Sequence, residues 1–179
     1  MTDPAAEADL VAAAQRGDSL ALAELIDRLA PFVGRICGPI ALDAGPDAAQ
    51  EALIQVLRDL RSLRSPAALR GWVRRIAIRE AVRHARRERR DVHTASDTVF
   101  EALPAPDPAL ALDVRSVLEG LAPEHRAILM LRDLEGLSEA EAASELRVAQ
   151  GTAKSRLHRA RGAFLSRWRA DAVQRGEDA

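Results

Sequence analysis

Between Thr152 and Arg161 the chain reads Thr-Ala-Lys-Ser-Arg-Leu-His-Arg-Ala-Arg, a mixture of short polar, cationic and small apolar side chains. At 3.6 residues per turn Ala153, Leu157, Ala160, Phe164 and Trp168 fall on one side of a helix. Thr152, Ser155, His158 and Arg159 fall on the other, with Lys154, Arg161 and Arg156 along its edges. No acidic residue occurs between Arg147 and Ala170. Such a helix docks its apolar stripe on a core while short polar groups read base edges and cations grip phosphates. A second arginine series lies upstream. Arg75, Arg79, Arg83, Arg86 and Arg90 recur every three or four residues and share one helical face, with Val73, Ala77, Ala81 and Ala85 opposite. Like charges at this spacing repel by a few tenths of a kcal/mol per pair, so the ridge calls for a counter-anion. Phosphate tracking is the expected use, with Arg64, Ser65 and Arg70 in the preceding loop placed to touch an unpaired base.

The elements that position these residues are all helical. Ser138 to Leu146 predicts a short helix opened by a capping box, Ser138 with Glu141, after Gly136 in a left-handed conformation. Arg147 to Gly151 is then a turn plugged by Val148, and Gln150 lies at the start of the reading helix. Together they predict a helix-turn-helix; Ala149 stands where a hydroxyl or carboxylate cap is expected. Upstream, helices are predicted over 5–16 and 18–37, with Gly17 ending the first and Asp18 capping the second. Residues 38–46 read as a loop. Asp47 is expected to cap a helix to about Leu60 with Ala49, Leu53, Val56 and Leu60 inward. After a loop over 61–68, a long helix runs from Leu69 to about Arg90. Trp72, one turn from Ile76, reads as a core residue of that helix, with a wedge stacking on an opened DNA strand as the alternative. Residues 91–109, with Pro104, Pro106 and Pro108, predict a flexible linker. Pro123 suits the first turn of a helix.

These motifs resemble those of bacterial extracytoplasmic-function sigma factors. Leu121-Ala-Pro-Glu-His-Arg, Leu131-Arg-Asp-Leu-Glu-Gly-Leu-Ser and Gly151-Thr-Ala-Lys-Ser-Arg-Leu-His-Arg-Ala-Arg are similar to the family's C-terminal domain, which reads the minus-thirty-five promoter element. Leu10-Val-Ala-Ala-Ala-Gln-Arg-Gly-Asp, Asp47-Ala-Ala-Gln-Glu-Ala-Leu-Ile and Leu69-Arg-Gly-Trp-Val-Arg-Arg-Ile-Ala resemble successive parts of its other domain, which binds the polymerase clamp and opens the minus-ten element. The resemblance implies an all-α chain of two small helical domains: residues 1–90, a linker over 91–109, residues 110–172, and a tail over 173–179. It implies core RNA polymerase and promoter DNA as partners, and an anti-sigma protein as inhibitor. It also makes Asp47, Gln50 and Glu51, with Ile54 and Leu57 beside them, a polymerase-binding face; periodicity alone reads these as an ordinary exposed surface. The family often carries asparagine and aspartate where this chain has Arg79 and Arg83. That departure exchanges acceptors for donors and predicts looser base discrimination with stronger backbone attraction.

Charge distribution agrees. The formal net charge is −1, yet residues 58–90 hold twelve arginines against three acids, and 147–169 hold seven basic groups and no acid. Acidic blocks flank them, residues 110–146 carrying eight acids against three basic groups. Two basic segments imply two places that meet polyanion. The rival reading is a stand-alone regulator binding an operator through residues 138–161 and sensing a signal with its N-terminal half, for which the arginine ridge has no use. Enzyme chemistry is not expected. His84, His93, His125 and His158 are scattered without metal-ligand spacing, no phosphate loop or nucleophile motif occurs, and no metal or cofactor is called for. No signal peptide or membrane-length apolar run is visible, which predicts a cytoplasmic protein without membrane insertion. Cys37 ends an apolar series and reads as core.

Overall fold

The computed structural model describes residues 4–89 and 108–177. All regular structure among them is helical: α1 (Pro4–Gln15), α2 (Ser19–Ala41), α3 (Gly45–Asp59), α4 (Leu69–Glu88), α5 (Pro108–Glu119), α6 (Pro123–Leu129), α7 (Glu139–Leu146) and α8 (Gln150–Glu177). The expected linker and Arg90 lie outside the described residues, except that α5 already begins at Pro108.

Local chemistry explains several boundaries. Gly17 takes a φ of 92° that stops α1, and the Asp18 carboxylate accepts from the N–H groups of Leu20 and Ala21 at 3.0 and 3.1 Å, a side-chain N-cap. The Gln15 amide donates to the carbonyls of Leu60 and Leu63 and so pins the connection before α4. That connection, expected as a loop, contains two single 3₁₀ turns.

Two expectations fail at one place. Residues 38–46 are not a loop: α2 continues through Pro39 to Ala41, one 3₁₀ turn follows, and α3 starts at Gly45. Pro39 removes one backbone donor, but Gly38, Ile40, Ala41 and Leu42 are all buried, and that packing outweighs the local cost. Asp47 consequently does not cap α3. The helix has already begun with Pro46 in its first turn, leaving Asp47 as an exposed first-turn acid, favourable to the dipole. The inward stripe is Ala48, Ala52, Val56 and Leu60, one residue rotated from the expected one at its start. The C-terminal helix also runs past residue 172, as a single helix of 28 residues.

Helices α2, α3 and α4 pack together with α1 against α2, and their shared surface is rich in alanine. Ala48, Ala52, Ala77, Ala81 and Ala85 are fully buried, so the backbones approach closely. Cys37 is buried as expected; its thiol donates to the Ala77 carbonyl at 3.6 Å, and burial, with Glu80 adding to it, pushes its pKa up to about 12. In the second half α6, α7 and α8 enclose Ala127, Ile128, Leu131, Ala142, Ala143, Leu157 and Ala160. This core is continuous with that of the first half. The two halves therefore pack on each other, and α4 lies at the join.

Candidate nucleic-acid interface

Helix α7, its turn and α8 form the expected helix-turn-helix. The Ser138 hydroxyl accepts from the Glu141 N–H at 3.2 Å, and the Glu141 carboxylate accepts from the Ser138 N–H at 2.8 Å. The Ser138 hydroxyl also donates to the Glu141 carboxylate at 2.6 Å, and that bond, with the one from the Ser138 N–H, holds the exposed Glu141 carboxyl below its ordinary pKa. Gly136 and Arg147 both take left-handed conformations, with φ of 68° and 51°; Arg147 closes α7 while the Val148 N–H reaches the Ala143 carbonyl at 3.0 Å. Val148 is packed against the core, which sets the crossing of α7 and α8.

On α8 the division of faces is as expected. Ala153, Leu157 and Ala160 are buried, while Gln150, Thr152, Lys154, Ser155, His158 and Arg159 are exposed. Phe164 and Trp168 stack at 6.2 Å farther along. The Ser155 hydroxyl donates to the Thr152 carbonyl and Arg159 Nε to the Ser155 carbonyl, so both side chains are held near the helix. Two arginines depart from the open face. Arg161 is paired with Asp133, which raises its pKa. Arg156 is half-buried and turned toward α4.

The arginine ridge also forms, since Val73, Ala77, Ala81 and Ala85 are fully buried. Its neighbours are what the sequence did not display. Arg75 Nη1 lies 3.3 Å from Glu145, and Arg86 is paired with Glu124. Arg79 Nε donates to Glu80 at 3.1 Å; Arg83 contacts the same carboxylate at 2.6 Å and Glu51 of α3 at 4.0 Å. The 2.6 Å contact is an ion pair and not a directed hydrogen bond. Glu80 is only 5% exposed, so the ridge is anchored by a buried carboxylate. Arg64 and Ser65 are exposed. Arg70, Arg35 and Arg74 place their guanidinium carbons 5.4–5.8 Å from the Phe32 ring centre, a cation–π arrangement. On α3 Asp47, Gln50 and Leu57 are exposed, while Glu51 and Ile54 are half-buried.

Comparison with known proteins decides the family. The Sigma-70 region 2 model matches residues 25–91 and the Sigma-70 region 4 model residues 111–164. The sigma factor SigM of Mycobacterium tuberculosis is 32% identical over 165 residues, covering 87% of this chain and 81% of SigM. SigE of Mycolicibacterium smegmatis is 35% identical over 124 residues, covering 64% of this chain but only 48% of SigE. The chain belongs to the extracytoplasmic-function RNA polymerase sigma factors. The fold agrees: CnrH, solved with the cytosolic domain of CnrY, superposes over 93% of this chain with a TM-score of 0.64 at 22% identity. RpoE of Bartonella quintana, solved with the anti-sigma factor NepR, covers 83% with a TM-score of 0.65 at 24% identity. The match to region 2 favours this assignment over a stand-alone operator-binding regulator.

In this sigma factor, regions 2 and 4 are joined by five ion pairs among the described residues. Arg35 and Arg74 both reach Glu135, at 3.5 and 3.3 Å, and Arg115 reaches back to Asp43. Glu135 follows a five-residue π-helical turn, Met130–Leu134, and the Glu135 N–H donates to the Met130 carbonyl. None of these partnerships was visible in the sequence, although the acidic block 110–146 was. Glu124 is held below its usual pKa: burial acts against this, but its own backbone N–H and Arg86 prevail. Glu145 is pushed up, chiefly by burial. Arg126, 4% exposed, donates to the Leu118 carbonyl at 3.2 Å, and burial depresses its pKa to about 10. An apolar groove of about 390 Å³ runs between α5, α6 and α8 and reaches Pro39 of α2; Leu134 and Leu165, which line it, are 68% and 51% exposed. Among the described residues no group of three metal-ligating side chains occurs, and no helix is long and apolar enough to cross a membrane.

Proposed function

We propose that the packed arrangement is a resting form and that the two halves separate to engage the two promoter elements together. The observation that carries this reading is the covering of the α4 arginines by Glu124 and Glu145, with Glu135 beside them on Arg74. Elements at minus thirty-five and minus ten stand roughly 25 base pairs apart, about 85 Å along the duplex. Packed halves cannot bridge that distance. Once released, the eighteen residues 90–107 span up to about 60 Å when extended, and the two domains supply the remaining reach. The covered interface is incompletely satisfied, since the buried Arg74 Nε and Glu145 Oε2 make no hydrogen bond to another protein group. Each such atom costs about 1–3 kcal/mol, which keeps the closed form easy to open.

In the open form Thr152, Ser155, His158 and Arg159 read base edges of the upstream element. Lys154, Gln150, Arg156 and Arg161 hold its phosphates. Arg64, Ser65 and Arg70 meet the downstream element, and Arg75, Arg79, Arg83 and Arg86 track its backbone. Asp47, Gln50 and Glu51, with Ile54 and Leu57, form the polymerase-docking face. The protein does no catalysis of its own and acts in the cytoplasm, where polymerase and DNA are. An anti-sigma protein restrains it, as the complexes of CnrH with CnrY and of RpoE with NepR suggest. Transcription of genomic DNA by purified core polymerase, with and without this chain, is the deciding experiment. Promoter-specific transcripts that require the chain are expected; their absence overturns the reading.

A further inference from the structure

A cleft of about 790 Å³ separates α4 from the helix-turn-helix. Five arginines of α4 line it (Arg75, Arg79, Arg83, Arg86 and Arg87), and Arg147 and Arg156 face them from the other half. Against these seven stand three lining carboxylates, Asp59, Glu124 and Glu145, with Glu80 and Glu51 on Arg79 and Arg83, which leaves a surplus of two positive charges. Arg87, Arg147 and Arg156 have no carboxylate within ion-pair distance among the described residues. Guanidinium groups converging without partners repel one another and invite an anion. The volume is that of a small-ligand site, too small for a duplex.

We propose that this cleft binds a short polyphosphate, either free or carried on a nucleoside, and that the bound anion holds regions 2 and 4 closed. Planar guanidinium forks suit phosphate oxygens in pairs. A ligand touching both halves at once exists only on the closed form, so it shifts the equilibrium away from the open one. It also occupies the same α4 arginines that promoter phosphates would need. The proposal rests on the closed arrangement and not on which bases the open form reads.

The test is calorimetric titration of the full chain with sodium tripolyphosphate and, separately, with a nucleoside triphosphate at the same ionic strength. One anion per chain is expected. Arg147→Gly and Arg87→Ala should each weaken it by about fivefold or more. Neither variant threatens the fold, since glycine suits the left-handed position and Arg87 is exposed at the end of α4. Lys154→Ala, on the open face of α8 and outside the cleft, should leave binding unchanged. A nucleoside triphosphate that binds more tightly than tripolyphosphate identifies a nucleoside-borne ligand; equal or weaker binding identifies a free chain. Several anions per chain, or an equal loss on Lys154→Ala, would place the anion on the general DNA surface and overturn the proposal. So would a single-stranded oligonucleotide that binds with the same Arg147 dependence when tripolyphosphate does not.

Discussion

Glu135→Gln tests the closed form most directly. The Glu135 side chain is 11% exposed and is reached by Arg74 at 3.3 Å and Arg35 at 3.5 Å. The Arg74 contact is mostly buried and contributes about 1–2 kcal/mol, whereas the half-exposed Arg35 contact contributes roughly 0.5 kcal/mol. The glutamine carbonyl still accepts one neutral hydrogen bond and returns about 0.5–1 kcal/mol. The net loss is therefore about 1 kcal/mol, roughly a fivefold shift toward the open form. Because the exposed fraction of α4 scales the apparent affinity, binding of a single-stranded minus-ten oligonucleotide should tighten by up to about fivefold. Fluorescence anisotropy measures this, with Glu7→Gln in the first turn of α1 as the control for the added unit of charge. Amide exchange in α4 and α7 should quicken in parallel. If Glu135→Gln and Glu7→Gln bind alike and exchange is unchanged, the ion pairs do not govern access to α4 and the resting-form reading fails.

Arg159→Ala should cost about 1–3 kcal/mol and relax preference at one upstream position, whereas Lys154→Ala should weaken binding to all sequences and lower the salt slope by about one phosphate. Identical behaviour of the two across a promoter library refutes the division of that face. His125 is pushed down, first by burial and then by Arg159 and Arg156. Its folded value lies below the unfolded 6.5, so its contribution to stability is present above that pH and is lost as pH falls through the folded value. Thermal unfolding should show the loss below about pH 6.5, and Arg159→Ala should move the His125 resonance titration upward; a titration unmoved by that variant would contradict it. Restoring the family's residues by Arg79→Asn with Arg83→Asp should lower affinity for promoter DNA at low salt, and it should also destabilise the fold. Buried Glu80 loses both cations and gains a carboxylate neighbour, at roughly 1–3 kcal/mol after discounting for the half-exposed arginines. Urea unfolding measures this, and unchanged stability would mean that Glu80 does not depend on the pair.

What the sequence determined is local. A period of 3.6 put Ala153, Leu157 and Ala160 inside and Thr152, Ser155 and Arg159 outside. Ser138 with Glu141, and Asp18, marked helix starts through bonds spanning two or three residues. The α4 ridge was legible for the same reason, because which residues share a face depends only on their spacing. The misread stretch at 38–46 shows the limit. Glycines and prolines there favour a break, and only burial of Gly38, Ile40, Ala41 and Leu42 carried α2 onward. The partners of the ridge lay further out of reach. Arg74 and Glu135 are 61 residues apart, Arg75 and Glu145 70, and Arg86 and Glu124 38. Periodicity says that an arginine faces outward from its own helix. It does not say what will lie over that face. That depends on how the region 4 core joins the region 2 core, a packing choice made by apolar surfaces on α2, α4 and α6 and expressed in no local pattern.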